Sequence, residues 1–164
     1  MSKTKLLILL SISLIFIQSC TKTLDSKLKF GLDYISGETD GFNLKNILLV
    51  HLESSDLYDK NSELLIKANI EHSQNLYITN VDNTSDRENI TSYLTVTVFN
   101  QNNNCDIFTF KDHEEQFYLI ASTQNFISNN KATEQIKIRN TEALVQNLLF
   151  ELISLENLSC LNEK

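Results

Sequence analysis

The sequence predicts an α+β fold: a two-layer sandwich with a mostly antiparallel sheet of about four strands and two helices on one face. Three observations predict it. The segment ENITSYLTVTVFN alternates with period two, setting Ile90, Ser92, Leu94, Val96 and Val98 against Thr91, Tyr93, Thr95, Thr97 and Phe99. From Lys131 to Leu155, apolar residues recur at helical spacing: Ala132, Ile136, Leu144, Leu148, Leu152 and Leu155. Shorter apolar runs between them complete the order β-α-β-β-β-α, which one sheet and two helices satisfy.

The chain opens with Lys3 and Lys5 ahead of a twelve-residue apolar run from Leu6 to Ile17. As a helix that run spans only about 18 Å, against roughly 30 Å of bilayer hydrocarbon. Basic start, short apolar middle and a small residue before a break form the pattern of a secretory signal. The break is IQSC, and it resembles the lipobox of bacterial lipoproteins, in which the cysteine is acylated and becomes the new N-terminus. Residues 1–19 are thus expected to be a lipoprotein signal peptide and Cys20 the lipidation site. An ordinary signal peptide with a chance cysteine, or a core helix, is the plainer alternative. Two or more acyl chains anchor stably. Thr21 follows where some lipoproteins carry a retaining Asp, and by that sorting rule the expected destination is the outer membrane, on its periplasmic side.

Residues 20–43 are polar with scattered apolar positions and read as a lipidated tether, leaving 44–164 as a single α+β domain. NILLVHL (46–52) is short, apolar and flanked by polar residues, which predicts a buried strand. A helix is expected next, capped by Ser54, Ser55 or Asp56 and presenting Leu57, Leu64, Leu65 and Ala68 on one face. NLYITNVD predicts a second strand. After ENITSYLTVTVFN, QNNN reads as a turn, and CDIFTF with QFYLIAS as one long or bulged strand, or two, so that a hairpin runs from Ile90 to Ser122. Asn129 or Asn130 is expected to cap the final helix.

The whole chain has 14 basic and 21 acidic residues. Without Lys3 and Lys5, 12 basic residues remain and the mature domain carries about −9. Nucleic acid, which requires a basic stripe, is not an expected partner. Beyond Cys20, two cysteines remain. Cys105 and Cys160 are a candidate disulfide in an oxidising compartment, the alternative being one buried and one tail thiol.

Reacting groups are sparse. His51, His72 and His113 do not stand at ligand spacing from one another or from cysteine, so no metal site is expected. KDHEEQ, around His113, reads as a solvated turn. No G-x-S-x-G is present, and three glycines leave little for a phosphate loop. Neither a cofactor nor enzymatic activity is expected.

The lipobox, the strand–helix segment ILLVHLESSDLYDKNSELLIKANI, the hairpin ITSYLTVTVFNQNNNCDIFTFKDHEEQFYLIAS and the closing helix TQNFISNNKATEQIKIRNTEALVQNLLFEL follow one another over nearly the whole chain. In order, length and pattern this resembles the lipopolysaccharide-assembly lipoprotein LptE family, as a divergent member that lacks the aromatic and proline segment after the lipid cysteine. The resemblance implies a plug and assembly subunit inside a large outer-membrane β-barrel, the lipopolysaccharide translocon, with lipopolysaccharide itself as a further partner. The rival expectation is a free periplasm-facing lipoprotein that binds a ligand or protein without catalysis.

Overall fold

The computed structural model describes residues 28–78, 86–120, 126–155 and 158–161. The leader 1–19, Cys20 and residues 79–82, 121 and 122 of the expected strands lie outside the described residues. The order is β1 (Gly31–Ser36), α1 (Glu38–Ser54), β2 (Leu64–Ile78), β3 (Asp86–Asn100), β4 (Cys105–Leu119) and α2 (Phe126–Ser154). The strands form one mixed sheet in the order β1-β2-β3-β4, with β1 parallel to β2 and the other pairs antiparallel. The α+β sandwich and the element order are as expected. The first three elements are built from other residues.

NILLVHL is not a strand but the second half of α1. Gly41, Leu44, Leu48 and Leu52 form its buried stripe at spacings of three and four, a frame that begins before the apolar run does. Val50, inside the run, is 63 % exposed, as the helical frame requires. Gly37, at φ 119, turns the chain from β1 into α1.

Ser54, Ser55 and Asp56 end this helix rather than starting another. Asp56 adopts φ 55, its N–H donates to the Glu53 carbonyl (3.1 Å), and the Leu57 N–H donates to Leu52 (2.8 Å). This is a Schellman stop, sealed by burial of Leu57 and Leu52 together. Leu64, Leu65 and Ala68 then lie on β2. Leu64, Ile66, Ala68 and Ile70 alternate into the core, a period-two frame that outcompetes the helical one.

The segment assigned to a tether also differs. Phe30 is fully buried, Gly31–Ser36 pairs with β2, and Glu38 begins α1, so residues 30–43 belong to the folded unit.

β3 and β4 pair throughout their lengths, with one bulge between Val98 and Phe99. Asn100 Oδ1 accepts from the N–H groups of Asn102 and Asn103, closing the QNNN turn. KDHEEQ lies inside β4, not in a turn: its residues alternate between the two faces of the sheet. The final helix starts at Phe126, so Asn129 and Asn130 sit within its first turns instead of capping it.

Both helices pack on one face of the sheet. Leu44, Leu48 and Leu52 of α1 meet Leu144, Val145, Leu148 and Leu152 of α2 above Ile66, Leu94, Val96 and Val98. Among the described residues no helix is long and apolar enough to cross a membrane.

Candidate functional site

Along the helix-facing side of the sheet, one row across the three long strands is polar. Register places His72 of β2 opposite Ser92 of β3, and Ser92 opposite Glu114 of β4. On one side of it the sheet presents Ile70, Leu94 and Asp112; on the other come Gln74, the wholly buried Ile90 and Gln116.

Ser92 and Asn140 are wholly buried there. Asn140, on α2, donates through Nδ2 to Ser92 Oγ (3.0 Å), the Ile90 carbonyl (3.2 Å) and the Glu114 carbonyl (3.3 Å). Ser92 Oγ lies 2.7 Å from His72 Nδ1. The other ring nitrogen, Nε2, faces Asp40 Oδ2 of α1 at 3.8 Å, and Lys137 of α2 reaches the same oxygen at 3.4 Å. Burial, only partly opposed by Asp40 and reinforced by Lys137, holds His72 below its ordinary value of 6.5. The neutral ring therefore carries its proton on Nε2, toward the carboxylate, and accepts the Ser92 hydroxyl proton on Nδ1.

Asp40, His72 and Ser92 have the residue types of a nucleophilic triad, but a substrate would have to contact Ser92 Oγ, which is fully enclosed. What the arrangement does is join α1, β2, β3, β4 and α2 through one polar chain. A cavity of about 290 Å³ opens beside it, between Asp40, Asn43, Glu134 and Lys137. A second, of about 460 Å³, lies beyond Lys137, where Tyr118 donates to Glu88 and shares a hydrogen bond of 3.0 Å with Thr133. Burial and the Glu88 carboxylate raise the Tyr118 pKa, so the phenol stays protonated.

The opposite face of the sheet is polar. Lys67, Asn69, Glu71 and Ser73 of β2, Thr91, Tyr93, Thr95 and Thr97 of β3, and Thr109, Lys111, His113 and Glu115 of β4 point that way. Tyr93 stacks on His113 with ring centres 6.0 Å apart, and Lys67 sits 4.1 Å above the Phe99 ring. At the far end, Tyr77, Phe117 and Leu119 are more than half exposed around Arg87.

Cys105 and Cys160 form a disulfide that fastens the C-terminal segment to the start of β4, where the Leu161 N–H donates to the Asp106 carbonyl (2.9 Å). His113 is on the open face and His51 near the end of α1. Among the described residues no group of three or more His, Cys, Asp or Glu side chains is gathered as metal ligands. The polar row was not anticipated, yet its signals exist. His72 continues the inward alternation from Leu64 to Ile70, and Asn140 stands four residues from both Ile136 and Leu144.

No family model and no curated protein matches the sequence significantly. Solved structures do share its fold. A protein of Caulobacter crescentus classed as a lipoprotein superposes with a TM-score of 0.54 at 11 % identity, covering 80 % of this chain and 90 % of that one. The minor lipoprotein of Acinetobacter baumannii gives 0.53 at 13 % identity, covering 77 % and 92 %. Rare lipoprotein B of Shewanella oneidensis gives 0.54 at 9 % identity, covering 79 % and 98 %. The mixed four-stranded sheet with two helices is therefore a fold that this chain shares with three such proteins.

Proposed function

We propose that the protein is a lipoprotein anchored through Cys20 in the outer membrane. There it serves as a non-catalytic plug and assembly subunit of a β-barrel lipopolysaccharide translocon, assisting barrel folding and delivery of lipopolysaccharide to the cell surface. The observation that carries this reading is the asymmetry of the sheet. One face is packed under two helices, while the other presents Lys67, Glu71, Thr95, Lys111 and Glu115 along strands of 15 residues. Such strands extend about 50 Å, longer than a bilayer's hydrocarbon core is thick. A face that is polar over most of that length matches the polar interior of a large barrel better than it matches lipid. The lipobox at Cys20 and the fold shared with three lipoproteins support the same reading. So does the enclosed Ser92 hydroxyl, which leaves the Asp40–His72–Ser92 chain a structural tie.

The test is a mild-detergent pull-down of the tagged full-length protein from its own membranes, with mass spectrometry of what accompanies it. A stoichiometric large β-barrel, lost when Cys20→Ala is combined with a non-lipoprotein leader, is the expected result. A lipid-modified protein that emerges alone overturns the plug reading and leaves a free lipoprotein that binds a ligand or protein on the periplasmic side.

A further inference from the structure

The two halves of α2 are held by different forces. From residue 140 to 152, Asn140, Thr141, Leu144, Val145, Leu148, Leu149 and Leu152 are all buried, and most are aliphatic. From Ile127 to Arg139 only Ile136 is buried. That first half is attached through polar contacts: Thr133 with Tyr118, and Lys137 with Asp40. The cavity of about 290 Å³ lies between it and α1 and that of about 460 Å³ between it and the sheet, with Glu134 and Lys137 lining both. Where the apolar packing begins stands Asn140, bonded to Ser92, which in turn bonds His72.

We propose that the Asp40–His72–Ser92–Asn140 chain is an acid-sensitive latch: with His72 neutral it fastens the first half of α2 to the sheet, and protonation of His72 releases it. With the ring neutral and its proton on Nε2, the hydrogen bonds run in one direction. Asn140 donates to Ser92, Ser92 donates to His72 Nδ1, and His72 Nε2–H faces Asp40. A proton on Nδ1 turns that nitrogen into a donor, so Ser92 Oγ receives N–H groups from both sides and its own hydroxyl proton loses its acceptor. Ser92 is wholly enclosed, so no solvent replaces that acceptor.

The imidazolium also has to exist in a side-chain site only 3 % exposed. The charged groups around it are Asp40 from α1, Glu134 and Lys137 from α2, and Glu114 on the same row of β4; β3 contributes only the neutral Ser92. Asp40 favours the cation, but it is shared with Lys137, which opposes it. Burial lowers the His72 pKa in the closed form, and opening restores water to the ring. Acid therefore shifts the closed–open equilibrium toward open, enlarging the two cavities into one cleft along the sheet.

Hydrogen exchange on the full-length protein in detergent, at pH 7.5 and pH 5.0 and corrected for intrinsic rates, tests the latch. The expected result is exchange that rises severalfold at the lower pH across residues 127–139 and stays unchanged across 144–152. In His72→Gln the rise disappears, whereas in His113→Gln it persists. Equal protection of 127–139 at both pH values overturns the latch, as does a rise that survives in His72→Gln. Should His72→Gln fail to fold, the His72 ring resonances of the wild-type protein decide. Titration below 6.5 in step with opening of 127–139 supports the latch, and titration with those residues still protected overturns it.

Discussion

Cys105 and Cys160 stand 55 positions apart in the chain and 5.7 Å apart between Cα atoms, at the end of the sheet where β1 and β2 also begin. The bond joins the first residue of β4 to the segment that follows α2, so one covalent link closes the last hairpin strand and the long helix into a single loop.

Closing a loop of that length removes entropy chiefly from the unfolded chain. On the chain-entropy treatment the bond stabilises the domain by about 4 kcal/mol. Cys105→Ser with Cys160→Ser is expected to lower the urea midpoint accordingly, and the reduced wild-type protein should match the double variant. A midpoint indifferent to reductant would show that the thiols are unpaired in solution.

Gly41 offers a test in which two rules disagree. It lies inside α1, where replacing glycine by alanine ordinarily stabilises by about 1 kcal/mol. Here an added Cβ would sit 2.6 Å from the Ser36 carbonyl oxygen, a backbone atom held by β1. The clash should prevail, so Gly41→Ala is expected to destabilise by about 1–3 kcal/mol, within the range for overpacking. Thermal unfolding reads the sign directly.

Asn140 tests the buried polar row. Removing its amide by Asn140→Ala leaves Ser92 Oγ and the carbonyls of Ile90 and Glu114 short of a donor in a closed space. A loss of about 1–3 kcal/mol is expected. Thr141→Val should cost less, because its hydroxyl only supplements the Lys137 carbonyl within the helix. Equal effects in chemical denaturation would mean that the row adds nothing beyond packing.

His72 sets the sign of one pH dependence. Its folded pKa is lowered from 6.5, so between the two values the unfolded chain binds more protons and stability rises with pH. The contribution is complete above 6.5 and is lost as pH falls through the lowered folded value. Denaturation midpoints should therefore drop between pH 7.5 and pH 5, and the His72-dependent part of that drop should vanish in His72→Gln.

The elements differ in how plainly the sequence displays them. β3 was legible because its threonines and valines alternate without interruption, and α2 because its leucines recur over several turns. α1 is hidden in the sequence because NILLVHL is too short for periodicity to separate a strand from a helix, and the deciding residues, Gly41 and Leu44, stand outside the run. The stop after α1 resembles a start in sequence because Ser and Asp suit either end. The left-handed turn at Asp56 and the joint burial of Leu52 and Leu57 decide which end it is.

The polar row was hidden for another reason. Each of its members is unremarkable alone, and His72, Ser92 and Asn140 are separated by 20 and 48 positions. The inward frames of β2 and α2 contained His72 and Asn140, but nothing local states that two inward polar residues will meet.

Quantities that depend on near neighbours are written locally: the basic-apolar-cysteine leader, the acidic balance, the alternation of β3, the turn at QNNN and the amphipathic stripe of α2. Only the closed fold decided that the strand would start as early as Leu64, that 30–43 would join the sandwich, and that the His72 side chain would be buried between Asp40 and Ser92. Local periodicity is a property of adjacent residues and survives in any context. Burial and pairing depend on groups far apart in the chain, whose meeting is settled only when the sheet and both helices close on one core.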